Sequence, residues 1–270
     1  MRRYLTLACL AIALFVSKPR SAEAFTKAFT YSEISTALAG ALQSFQIYLH
    51  NEGPFKDGTH FRPNISTIRL NGKRLSSFSV EPFPVGRVGG RSYFYYIEAL
   101  NSSGVGVETR DKGFYLTLSL ASSEAPLIPK CVKKAATGKA EECDPYPFPK
   151  IGLSSVKLIA RLEPVAHKGS IAFTMTKAEV QGSPDISYCQ GLLAGFACNK
   201  IARLPAFAAR VRKKLEDKVL ATFNTPAALD AAAIYLRDNT DVGLIAVTAV
   251  AVRDANVVVT GRVRLLGASF

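Results

Sequence analysis

The stretch LIARLEPVAHKGSIAFTMTKAEV, residues 158–180, decides the fold of this chain. Apolar side chains recur at every second position over most of its two halves, which a turn joins. This alternation is typical of half-buried strands, so the stretch predicts a β-hairpin with one apolar face. That face collects Leu158, Leu162, Ile171, Phe173 and Met175.

A long helix is predicted to cover this apolar face. Six large apolar side chains recur three or four residues apart, namely Leu204, Phe207, Val211, Leu215, Val219 and Phe223. The spacing predicts an amphipathic helix over 203–224, and burying each side chain would contribute about 1.5–3 kcal/mol. Charged residues, among them Arg210, Lys213 and Lys214, occupy the opposite face. A second helix is predicted from Thr225-Pro226 to about Asn239, followed by two strands within 242–265.

The N-terminal half predicts one helix and then several strands. Thr30 and Glu33 form a capping-box pattern, and apolar residues continue at helical spacing to Leu49. Asn71-Gly72 between two apolar runs is a strong hairpin signal. Further strands are predicted over 91–100 and 113–122, and the proline-flanked segment 125–150 is predicted to be a polar excursion between strands.

This order of elements favours an α+β fold, because no strand–helix–strand repetition calls for a parallel sheet. We expect a strongly curved antiparallel sheet wrapped around a long C-terminal helix, with an additional N-terminal helix. Residues 25–270 are expected to form one domain.

Residues 1–24 resemble a cleavable leader. Arg2-Arg3 precedes an apolar run from Leu5 to Val16, and Ala22-Glu23-Ala24 fits a cleavage site before Phe25. The run is shorter than the roughly 20 residues that a membrane-spanning helix needs. The pattern predicts a periplasmic or secreted protein, with export through either the general or the twin-arginine route left open.

The chain carries a net charge of +13, and the leader's excess of three positive charges leaves +10 on the remainder. Such a charge favours anionic partners, and an anionic membrane surface suits an exported protein. Nucleic acid is not expected, since basic and aromatic residues do not interleave in a recognisable module. A basic surface that only keeps the protein soluble is the alternative.

The sequence contains no catalytic motif that we would assign. G-x-S-x-G, H-E-x-x-H, Walker A and dinucleotide-binding glycine patterns are all absent. The three histidines are scattered, and the cysteine spacings do not suit a metal. We therefore expect no enzymatic activity, no catalytic residues, no metal and no cofactor. A hydrolase whose Ser, His and Asp residues are scattered in sequence and assemble in space is the remaining alternative.

Three stretches resemble the YceB-like family of bacterial envelope lipoproteins, a branch of the tubular lipid-binding (TULIP) superfamily. They are YSEISTALAGAL (31–42), the hairpin 158–180 and FNTPAALDA (223–231). The resemblance implies a curved antiparallel sheet around a long helix and an apolar cavity between them. The lipobox of that family is absent here, and the segment 125–150 is an addition.

A hydrophobic ligand, such as a lipid or acyl chain, is the partner that this resemblance implies. The cavity would be lined by Leu158, Leu162, Ile171, Phe173 and Met175 on one wall, by Phe207, Val211 and Leu215 on the other, and by Leu192, Leu193 and Phe196 at one mouth. Arg210, Lys213 and Lys214 would meet an anionic head group. The alternative is an envelope protein-binding or structural module with a filled core, because a core and a lipid tunnel use the same residue types.

Four cysteines follow the leader, and in an oxidising compartment they pair most simply with their neighbours in sequence. We predict the disulfides Cys131–Cys143 and Cys189–Cys198, each worth about 3 kcal/mol in the chain-entropy treatment. Peptide mapping of the unreduced protein should recover both local pairs. Crossed pairs or four free thiols would refute the prediction.

Overall fold

The computed structural model describes residues 24–51, 64–70, 72–111, 113–122, 126–146, 148–185, 196–239, 241–254 and 256–263. The strands are β1 (Phe25–Thr30), β2 (Gln46–Asn51), β3 (Asn64–Leu70), β4 (Lys73–Val80), β5 (Phe83–Val88), β6 (Arg91–Ile97), β7 (Ala99–Arg110), β8 (Gly113–Ser122), β9 (Leu127–Lys134), β10 (Ala140–Cys143), β11 (Leu153–His167), β12 (Ser170–Pro184), β13 (Ile245–Arg253) and β14 (Asn256–Val263). The helices are α1 (Tyr31–Leu42), α2 (Phe196–Ile201), α3 (Leu204–Phe223) and α4 (Pro226–Asn239), with a 3-10 turn at Asp241–Leu244.

Three antiparallel sheets make up the α+β fold that the sequence predicts. The largest has the strand order β12-β11-β8-β7-β2-β3-β4 and is strongly curled, in the shape of a half-barrel. A four-stranded sheet has the order β10-β9-β6-β5, and a three-stranded sheet the order β1-β14-β13. Apolar residues from all three sheets and from the helices pack in one continuous core.

The predicted hairpin is confirmed and is longer than expected, since β11 and β12 extend to Leu153 and Pro184. Its turn is Lys168-Gly169, with φ values of 47° and 70°, the conformation that tight two-residue hairpin turns require. The predicted apolar residues are buried, whereas Arg161 and Glu163 are exposed. One face of the hairpin therefore belongs to the core.

The helix α3 is confirmed within one residue at each end, and α4 begins at Pro226 as predicted. Leu204, Leu215, Val219 and Phe223 are buried, so the apolar stripe faces the protein. Phe207 and Val211 are only half-buried. The stripe is thus tightly covered at Leu204 and again from Leu215 onward, and less so at Phe207 and Val211 between them.

The predicted N-terminal helix is wrong beyond Leu42. The capping box at Thr30 and Glu33 is present, but α1 ends at Leu42 and residues 46–51 form β2. Phe45, Ile47 and Leu49 are all buried. They follow strand alternation, which over so few residues also fits a helical spacing.

The proline-flanked segment is not a simple loop, as β9 and β10 join the four-stranded sheet. The predicted disulfide Cys131–Cys143 is present and links opposed residues of these two strands. Residues 1–23, 189, 192 and 193 lie outside the described residues, as do the side chains of Phe196 and Cys198, so the leader and the second disulfide stay predictions.

Side chains of α3 and of its C-cap residue form hydrogen bonds with backbone N–H and C=O groups along the outer edge of β12. Asn224 accepts from the backbone N–H of Met175 at 2.8 Å and donates to the carbonyl of Met175 at 2.9 Å. Glu216 accepts from the N–H of Val180 at 2.8 Å, and Arg212 donates to the carbonyl of Gly182. At the opposite edge of the sheet, Thr222 donates to Ser76 of β4 at 2.8 Å. The helix therefore spans the gap between the two edges of the half-barrel.

We predict that Asn224→Ala lowers the free energy of unfolding by about 1–3 kcal/mol, because both polar groups of Met175 lose their partner. Asn239→Ala is the matched control, since the side chain of Asn239 makes an exposed hydrogen bond to the carbonyl of Tyr235 and its loss should cost well under 1 kcal/mol. Urea denaturation of both variants measures the difference. Equal losses would contradict the importance of this contact.

Candidate functional site

An apolar cavity of about 80 Å³ lies where the N-terminal half of α3 crosses the sheet. The helix contributes Leu204, Phe207, Ala208, Val211 and Leu215 to its wall. The facing wall comes from several strands of two sheets and includes Leu49, Ile97, Leu100, Leu120, Leu127 and Val180. Such a cavity offers water few hydrogen-bonding partners, so it is suited to apolar contents.

The cavity is small. Pockets for drug-sized ligands measure about 300–1,000 Å³, well above the 80 Å³ seen here. An acyl chain can therefore enter only if part of the wall moves. Phe207, Ala208 and Val211 of the helix are half-buried, as are Leu153 and Val156 of the hairpin. The ring of Phe207 lies 5.0 Å from that of Phe83 on β5.

The sequence-predicted cavity residues fall into two groups. Phe207, Val211 and Leu215 line the cavity. The hairpin residues Leu158, Leu162, Ile171, Phe173 and Met175 do not line it; they are at most 2 % exposed and pack in the core. The cavity does lie between this hairpin and α3, but it lies at the end of the hairpin away from the turn.

A β-bulge shapes that end of the hairpin. Ser154 pairs with Ser183 and Lys157 with Gln181, so Ser155 and Val156 together oppose Gly182. Ser155 has a φ of 35° and Gly182 a φ of 117°. The extra residue changes which side chains face inward, and Val156 joins the cavity wall.

A polar cleft adjoins the cavity on the solvent side. We define it by Ser154, Lys157, Glu179, Gln181, Ser183, Arg212, Lys213 and Glu216. Arg212 lines both the cavity and the cleft, and it donates to the backbone carbonyl of Gly182 at the bulge. Arg212 thus lies at the boundary between the apolar cavity and the charged cleft.

The three predicted basic residues, Arg210, Lys213 and Lys214, line one shallow groove on the outer face of α3. Only Lys213 also borders the cleft; it bonds Asp217 of the groove at 2.6 Å, and this carboxylate raises the pKa of Lys213. Arg210 is exposed beside the ring of Phe207. Arg212, which sequence reasoning missed, is the cation at the boundary.

A cluster of one acidic and two basic side chains lies at the hairpin turn. Asp230 of α4 is 2.6 Å from Nε2 of His167 and accepts from Lys168 at 2.7 Å. The hydrogen bonds from Lys168 and His167 hold the pKa of Asp230 below its usual range. The carboxylate therefore stays charged, and keeps its stabilising bonds to both residues, until the pH falls through that lowered pKa. The nearby hydroxyl of Ser170 is buried and donates to the carbonyl of Ala233. The cluster fastens the turn to α4.

Within the described ranges, no group of three or more His, Cys, Asp or Glu residues could hold a metal ion. No single helix in the same ranges is long and apolar enough to cross a membrane; residues 199–223 and α4 pass that test only together, with a bend of 59° between them. No protein-family model and no curated protein matches the chain.

We predict that Leu215→Ala costs less stability than Leu158→Ala. Leu215 borders the existing cavity, whereas Leu158 is enclosed on all sides and its removal leaves a new void. The expected losses are about 2 and about 4 kcal/mol respectively. Urea denaturation of both variants checks this order. Equal losses in the free energy of unfolding would mean that the surroundings of Leu215 are packed as tightly as those of Leu158.

Proposed function

We propose that this chain is an exported, non-enzymatic protein that binds a hydrophobic ligand, a lipid or an acyl chain, between α3 and the sheet. It would act in the periplasm or outside the cell as a carrier or sensor. The apolar cavity that opens beside a polar cleft is the observation that carries the proposal. The curled sheet and the helix that spans its edges support the TULIP-like arrangement implied by the sequence.

The contacts of α3 suggest how the cavity would enlarge. From Arg212 onward, the helix and its C-cap are held to the sheet edges by hydrogen bonds. Between Leu204 and Val211, the bonds among the described residues are those of the helix itself, and the contacts with the sheets are apolar. We infer that the N-terminal half of α3 swings outward while the C-terminal half stays fixed.

The alternative function is a protein-binding or structural module of the cell envelope with a filled core. The five hairpin residues predicted to face a ligand favour it, because they are already packed against protein. The small volume of the closed cavity favours it as well. Direct measurement of ligand uptake decides between the two.

We predict that Ala208→Trp abolishes uptake of a fluorescent long-chain fatty acid by delipidated protein. Ala208 lines the cavity, and an indole there would fill the space. Ala221→Trp is the matched control, because Ala221 lies on the exposed face of the same helix. A fluorescence titration of wild type and both variants measures uptake, and circular dichroism verifies folding.

Saturable uptake by wild type and Ala221→Trp, with none by folded Ala208→Trp, supports the proposed site. Saturable uptake that Ala208→Trp leaves unchanged would place the ligand elsewhere. If wild type takes up neither the fatty acid nor a fluorescent phospholipid saturably, the carrier proposal fails and the protein-binding module replaces it. Native mass spectrometry of protein purified without delipidation provides an independent reading of bound lipid.

A further inference from the structure

The position of Arg212 at the boundary between cavity and cleft suggests what the ligand's polar end must be. Its guanidinium makes one hydrogen bond within the described part of the chain, to the carbonyl of Gly182. A guanidinium carries five N–H donors. Since Arg212 lines both the cavity and the cleft, its guanidinium has donors left for an anionic group at their boundary.

Lys157 is a second cation in the same cleft. It is half-buried, and its ammonium group makes no ion pair or hydrogen bond with any residue that the structure describes. Its backbone pairs with Gln181, next to the glycine that Arg212 contacts. An ammonium without a carboxylate partner favours the approach of an anion.

Ion pairs distinguish the cations of the cleft. Glu179 accepts from Gln181 at 3.2 Å and pairs with Lys177 at 3.4 Å. Lys213 pairs with Asp217. Glu216 accepts from the backbone N–H of Val180 at 2.8 Å and keeps its charge. Among the described residues, Arg212 and Lys157 are therefore the cations of the cleft that no carboxylate pairs.

We propose that the bound ligand is an anionic amphiphile, whose carboxylate or phosphate head is held by Arg212 and Lys157 in the polar cleft while its chain lies in the cavity. This inference rests on the proposed function and adds the head-group class to it. It also moves head-group recognition from Arg210 and Lys214, on the outer face of α3, to the β-bulge. The bulge supplies the carbonyl that orients Arg212.

The test compares ligands that share one chain and differ in the head. Dodecyl phosphate, dodecanoate and dodecanol are each titrated against the bound fluorescent fatty acid. Wild type should bind the two anions about tenfold more tightly than the alcohol, since hydrogen bonds to charged groups are the stronger kind. The double variant Lys157→Gln/Arg212→Gln should lose this preference, measured as the ratio of its own affinities for the anions and for dodecanol. The control Arg210→Gln/Lys214→Gln removes the same charge and should keep the preference.

Each outcome has a distinct meaning. Equal binding of anions and alcohol by wild type overturns the head-group proposal and leaves the proposed function standing. A preference that survives in the cleft variant, or disappears in the control, also overturns it. If neither the fluorescent fatty acid nor any of the three ligands binds, the proposed function itself fails. Inorganic phosphate is titrated alone; if it competes as well as dodecyl phosphate does, the cleft is a free-anion site and the amphiphile proposal is wrong.

Discussion

The free edge of β12 meets the side chains of one helix instead of another strand, and the rest of the structure depends on this contact. A buried edge leaves N–H and C=O groups that need partners. Asn224, Glu216 and Arg212 provide them at Met175, Val180 and Gly182. The same helix meets β4 through Thr222, so it holds together the two edges of a half-barrel whose strands alone do not close.

The bulge in the hairpin couples this edge to the cavity. Gly182 adopts a φ of 117°, and a Cβ there would lie 2.8 Å from the carbonyl oxygen of Ser154. Only glycine fits without displacing backbone. The bulge allows Val156 to enter the cavity wall and presents the carbonyl to which Arg212 donates. One glycine thus sets both the apolar wall and the position of the cation at its boundary.

Long, strongly periodic elements could be predicted from the sequence, and local departures from periodicity could not. The stripe of α3, the hairpin and the strand 113–122 were predicted because each repeats its pattern over many residues. The change from helix to strand after Leu42 was missed because Phe45 and Leu49 continue the helical spacing by coincidence. Arg212 was missed because it lies in a basic run, and the bulge that recruits it depends on how two strands pair. Gly182 inside a strand was the available signal.

Under the proposed function, the two halves of α3 have different energetic roles. Moving the N-terminal half would expose Leu204, Phe207 and Val211 at about 1.5–3 kcal/mol each at most, and less for Phe207 and Val211, which are half-buried already. An acyl chain of about 14 methylenes would gain about 11 kcal/mol on burial, before the cost of association. The empty protein would then stay closed, and a ligand could open it only through its own differential affinity for the open form. The polar contacts from Arg212 to Asn224 confine this movement to one end of the helix, so the sheet edges stay joined while the cavity enlarges.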